Sequence, residues 1–160
     1  MPTAHPRYVE FYADRPDEVV ATMDAMATAG QGWINFEPAV RVEDVPPPGG
    51  GFFSLFSGRG PAVPLGTWTP PAAPRRGRPE PAMVGLQHPA GARARPLLER
   101  LGHPVPEGWA VTQDYVKKGM VLAVPPASGH VEVVRWLLRA ATLLSDVPLT
   151  GEWRAAVYDG

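Results

Sequence analysis

The chain contains no cysteine, and only two of its 160 residues are lysines. Without thiols there is no disulfide framework, no thiolate nucleophile and no cysteine-ligated zinc, so nothing in the sequence requires an oxidising compartment. No apolar run approaches the roughly eighteen residues of a membrane span, and the amino-terminal residues lack the charged and apolar regions of a signal peptide. These absences predict a cytoplasmic protein without a membrane segment.

The composition that remains is typical of a folded globule. Hydrophobic residues make up 44% of the chain and charged residues 19%, which is enough for one core in a single domain over residues 1–160. Charge is distributed unevenly, because residues 1–57 carry a net −5 and residues 58–100 a net +5. We expect the acidic and basic segments to meet each other or water in the fold.

The amino-terminal pattern predicts strand, helix and strand. Residues 7–13 alternate as a half-buried strand does, and residues 33–43 form the clearest period-two run in the chain. Between them, Asp14 is a candidate N-cap, Pro16 suits the first helical turn, and Gly30 supplies a stop. A helix over residues 16–29 is therefore expected.

The carboxy-terminal half reads as strand, helix, strand, strand, helix, strand. The strands are expected at residues 83–87, 109–116, 120–124 and 152–158, with a short helix near residue 98 and a long helix over 129–145 capped by Ser128. This order is typical of the ferredoxin-like split βαβ unit. The prediction is an α+β fold with an antiparallel sheet and helices on one face, and the amino-terminal elements leave open a second half-unit.

Residues 46–81 differ from the rest, with ten prolines and seven glycines among thirty-six residues. Since proline cannot donate to a strand ladder, this segment is predicted to be a flap over the core with only short strand pieces. Two apolar islands within it are candidate binding elements if they are exposed. They are the cluster of Phe52, Phe53 and Phe56 and the island that contains Trp68.

No motif indicates a cofactor or a metal site, and we expect neither. Three of the four histidines precede proline and mark loop or strand ends, without the spacing that metal ligation needs. His88 and Asp114 fall on strands that could be neighbours, where a carboxylate-held imidazole could act as a general base. They are weak catalytic candidates in a pocket between sheet and flap.

A short basic run offers a nucleic-acid hypothesis. The tetrapeptide Arg76-Gly77-Arg78-Pro79 resembles the core of the AT-hook, and the resemblance implies insertion of arginines into an A·T-rich minor groove. Arg75 precedes it. The adjoining Glu80 and the net acidic chain weaken the electrostatic affinity that DNA binding needs.

Taken together, these patterns favour a non-catalytic protein-interaction or oligomerisation module that contacts itself or another protein, with a homo-oligomer expected. Two alternatives stay open at this point. One is a small enzyme or small-ligand binder with its pocket between sheet and flap. The other is a DNA-associated accessory protein that uses the arginine-rich loop.

Overall fold

The computed structural model of the chain describes residues 5–45 and 60–160. Three α-helices occur in these ranges, α1 (Asp17–Ala29), α2 (Ala94–Arg100) and α3 (His130–Leu144), and a single 3₁₀ turn covers Val42–Asp44. None of them is long and apolar enough to cross a membrane. The strands are β1 (Arg7–Tyr12), β2 (Trp33–Pro38), β3 (Leu65–Thr69), β4 (Ala72–Arg75), β5 (Arg78–Glu80), β6 (Ala82–Gln87), β7 (Ala110–Tyr115), β8 (Gly119–Val124) and β9 (Glu152–Tyr158).

Seven of the strands form one antiparallel sheet in the order β1-β9-β2-β3-β6-β8-β7, while β4 and β5 pair as a separate hairpin. In the sheet, β9 lies between β1 and β2, and β8 lies between β6 and β7. Helix α1 therefore connects the parallel strands β1 and β2, which have the antiparallel strand β9 between them. Helix α2 likewise connects β6 and β7, which have β8 between them. The third helix, α3, carries the chain from β8 to β9 and packs on β3 and β6.

All three helices cover the same face of the sheet. Helix α3 also contacts α1 and α2, and Gly66 on β3 permits its close approach, since a Cβ atom there would lie only 3.0 Å from Leu137 Cδ2. Alternate strand residues point into this layer, as the period of a strand requires. The buried strand residues of the core include Val9, Phe11, Ile34, Phe36, Trp68, Val84, Leu86, Met120, Leu122, Trp153, Ala155 and Val157.

The helix boundaries follow the sequence signals only in part. Gly30 ends α1 in the left-handed conformation at φ 70°, as predicted. The predicted cap of α3 is wrong, because the helix is flanked by Gly129 and makes no side-chain cap hydrogen bond. Ser128 instead accepts a hydrogen bond of 3.0 Å from Trp109 Nε1, so a tertiary partner takes the hydroxyl. Pro16, not Asp14, is the N-cap residue of α1.

The α+β class and the antiparallel sheet with helices on one face are confirmed, but two finer predictions are not. A ferredoxin-like unit would place β9 beside β6, whereas β2 and β3 lie between them. The described part of the predicted flap is also not a loop. It supplies β3, the fourth of the seven strands, and the β4–β5 hairpin. Pro64 and Pro70 lie just outside β3, where a missing N–H removes no ladder bond.

Candidate interaction surface

The sheet face opposite the helices is not covered by any helix of the described residues. Its side chains form rows across the strands, and three of these rows cross five or more strands. The register of the ladders defines them. The aromatic row is Tyr158, Trp33, Thr69, Met83 and Ala123. The middle row is Tyr8, Ala156, Asn35, Thr67, Gly85 and Val121. The charged row is Glu10, Arg154, Glu37, Leu65 and Gln87.

Exposed aromatic rings concentrate at the β1–β9–β2 end of this helix-free face. Trp33 and Tyr158 stack with ring centroids 4.6 Å apart and an interplanar angle of 10°. Tyr8 is 53% exposed, and the Arg154 guanidinium lies 4.4 Å from its ring centroid. Aromatic rings with one face exposed to solvent are typical of contact surfaces, because on binding they bury a large area at a small cost in side-chain entropy.

The same end of the face is acidic. Arg154 donates from Nε and Nη2 to Glu37 Oε2 at 3.0 and 2.6 Å, and this carboxylate raises the pKa of Arg154 above its ordinary value. Both side chains line a depression of about 440 Å³ together with Glu10 and Glu152. Three carboxylates thus surround one guanidinium, which leaves this end with a net negative charge.

A second part of the face is shallowly concave and carries apolar side chains among polar ones. A depression of about 300 Å³ lies over β3, β6 and β8, and its lining includes Leu65, Met83, Val121 and, at the turn before β8, Lys118. The side chains of Leu65, Met83 and Val121 are half-buried. In an antiparallel sheet with one face exposed to solvent, the alternate residues that point to that face are usually polar. Leu65, Met83 and Val121 occupy such positions on β3, β6 and β8.

His88 and Asp114 lie near each other but do not form the predicted hydrogen bond. Both carboxylate oxygens of Asp114 accept backbone N–H groups at the start of α2, from Ala94 at 2.8 Å and from Arg95 at 3.0 Å. His88 is completely buried, and its Nδ1 accepts the N–H of Ala90 at 3.3 Å. The neutral ring therefore carries its proton on Nε2, which has no hydrogen-bond partner among the described residues.

This environment favours the uncharged imidazole. Burial lowers the pKa of His88 below its ordinary value, and the negative charge of Asp114 opposes the shift only in part. An imidazole sealed from solvent cannot exchange protons with a substrate in this conformation. The arrangement is that of a structural histidine beside a carboxylate that caps a helix.

The predicted binding aromatics occupy different places. Phe52, Phe53 and Phe56 lie outside the described residues. Trp68 is completely buried in β3 on the helix-covered side, with its ring edge-on to His130 at a centroid distance of 5.4 Å. Trp68 is therefore a core residue in this structure and is not part of the helix-free face.

The arginine run forms the turn of the β4–β5 hairpin. Arg75 and Arg78 are paired across the hairpin, and Arg76 and Gly77 occupy its two central positions at φ 53° and 74°. Positive φ at both positions is typical of a type I′ turn. The AT-hook resemblance implies a peptide that lies along a groove, whereas this backbone reverses direction at the glycine.

One further pair was not apparent from the sequence. His130 Nδ1, at the start of α3, hydrogen-bonds Asp24 Oδ1 on α1 at 2.5 Å and so joins the two longest helices. No local spacing could indicate a pair 106 residues apart. Within residues 5–45 and 60–160, no group of three or more histidine, aspartate or glutamate side chains is placed to hold a metal ion.

Comparisons of the chain with protein-family models, curated proteins and solved structures found no match.

Proposed function

We propose that this protein is a non-catalytic self-association module and that its contact surface is the helix-free face of the sheet. The observation that supports this most directly is the group of apolar side chains in the depression over β3, β6 and β8. Leu65, Met83 and Val121 occupy positions where a solvated antiparallel sheet carries polar side chains. A covering partner would remove this apolar area from water, which is the main favourable term in association.

The size of the face fits a stable protein interface. Seven strands at a spacing of about 4.8 Å, each about six residues long, present roughly 700 Å². Two such faces in contact would bury about 1,400 Å², which lies within the usual range for specific interfaces. A small molecule in either depression would cover only part of this area.

A second copy is the partner that the charges favour. The β1–β9–β2 end is acidic, with Glu10, Glu37 and Glu152 around Arg154, while Lys118 lies at the opposite side of the face. A surface with a negative end and a positive end can complement a rotated copy of itself. The catalytic alternative has weaker support, because Asp114 is occupied by the α2 backbone.

The mass of the protein across a dilution series tests the proposal. Val121→Asp places a charge in the depression over β3, β6 and β8, whereas Val131→Asp is the matched control on the outer surface of α3, where Val131 is 37% exposed. We expect dimers for the unmodified chain and for the control. For Val121→Asp we expect the association to weaken roughly a hundredfold or more, so that the monomer predominates, since its carboxylate would be buried without a partner. Analytical ultracentrifugation measures the equilibrium, and circular dichroism establishes that each variant is folded. A monomer at every concentration of the unmodified chain would overturn the proposal.

A further inference from the structure

We infer that two copies pair face to face about a two-fold axis that runs parallel to the strands over β3. This inference rests on the proposed self-association and adds its geometry. Strand β3 is the fourth of seven, so three strands lie on either side of it. Rotation about an axis over β3 places β2 of one copy over β6 of the other, and β9 over β8.

The charges distinguish this axis from the other possible one. An in-plane axis perpendicular to the strands would place each strand over itself, so the acidic β1–β9–β2 end would lie over the acidic end of the second copy. Like charges brought together in an interface are costly. The axis over β3 instead brings this acidic end toward the half of the second copy that carries Lys118.

Two of the three rows of side chains also match under this rotation. In the aromatic row, Trp33 of one copy faces Met83 of the other, which is a favourable sulfur–aromatic combination. In the middle row, Asn35 faces Gly85, a large residue over the smallest one. Such alternation of large and small residues lets facing sheets interdigitate at a separation of about 10 Å.

Residues on β3 itself would face their own counterparts. Thr67, at the centre of the face, would meet Thr67 of the second copy, and Thr69 would meet Thr69. Packed sheets commonly cross at about 30°, so this pairing is closest near the axis and loosens toward the edges. Val121 lies two strands from β3, which separates the two copies of Val121 by about 19 Å along the sheet.

Because the chain has no cysteine, single-cysteine variants report this geometry directly. The experiment treats Thr67→Cys, Thr69→Cys and Val121→Cys separately with a short bis-maleimide and measures the yield of covalent dimer. Val131→Cys on the outer surface of α3 is the control for random collision. Circular dichroism and the mass before cross-linking establish that each variant is folded and assembled.

We expect high yields for Thr67→Cys and Thr69→Cys, and yields at the level of the collision control for Val121→Cys. High yields for Thr67→Cys and Val121→Cys with little for Thr69→Cys would overturn the axis over β3 and favour the perpendicular one, leaving the proposed self-association intact. Yields at the control level for all three variants would overturn both the axis and the use of this face.

Discussion

Alanine substitutions at two glycines can measure how much stability depends on the close approach of β8 to β6 at Gly119. Gly119 and Gly151 have nearly the same left-handed conformation, with φ of 87° and 90°. A Cβ atom at Gly119 would lie 2.3 Å from the carbonyl oxygen of Leu86. A Cβ atom at Gly151 would have no described atom within 4 Å, apart from those of the adjacent residues in the chain. Alanine at the two positions therefore carries the same conformational cost but a very different steric one.

The magnitudes follow from these distances. The left-handed conformation costs a non-glycine residue about 1–2 kcal/mol, so this is the loss of stability expected for Gly151→Ala. At Gly119 the same cost applies, and β6 and β8 must in addition separate by roughly 1 Å, which weakens ladder hydrogen bonds worth about 0.5–1.5 kcal/mol each. We expect Gly119→Ala to lose about 3–5 kcal/mol in total.

Urea unfolding followed by circular dichroism measures both free energies. The midpoint should fall for each variant and fall much further for Gly119→Ala, while the denaturant slope stays unchanged in both. Equal losses in the two variants would refute the reasoning, because the backbone contact between β6 and the start of β8 would then have no energetic consequence.

Two predictions concern His88 and Asp114. Because burial lowers the pKa of His88, the unfolded chain binds more protons than the native one as pH falls below about 6.5, and stability should decline there by up to about 1.4 kcal/mol per pH unit. His88→Gln should abolish this part of the decline. Urea unfolding at several pH values measures the difference in unfolding free energy between the unmodified protein and the variant, and a difference that does not change with pH would contradict a lowered pKa for His88. Asp114→Ala removes both acceptors at the start of α2 and should cost about 1–2 kcal/mol, whereas Asp114→Asn keeps one acceptor and should cost less. Calorimetric unfolding of the two variants compares these costs, and no loss in the alanine variant would show that the cap is dispensable.

The local sequence pattern predicted correctly those helices and strands that are amphipathic and are bounded by turn or capping residues. Helix α1 ends at Gly30 because the left-handed conformation suits glycine. The long carboxy-terminal helix buries the apolar stripe predicted from its spacing from Val134 to Leu144, while Val131, predicted to belong to the stripe, is exposed. The strand of residues 82–87 and the hairpin of β7 and β8 also follow directly from their composition and from the turn glycine. These elements depend on residues only a few positions apart.

Strand β3 was the main element that local pattern did not reveal. Its five residues, Leu65–Thr69, lie between prolines in the segment predicted to be a flap, and they contain only two large apolar side chains. The strand forms because β2 and β6 supply hydrogen-bonding partners on both sides and α3 covers Trp68 and Gly66. Such support comes from residues far along the chain, so no window of sequence contains it.

The sequence by itself therefore determined the α+β class, the types of most elements and the hydrophobic faces of the helices, since these depend on periods of two and of three to four residues. Only the tertiary structure decided that β9 lies between β1 and β2, that Asp114 caps a helix instead of holding His88, and that no helix of residues 5–45 and 60–160 covers the second face of the sheet. The physical reason is that strand order and the partners of buried polar groups are set by pairings between distant segments, and these compete in free energy over the whole chain.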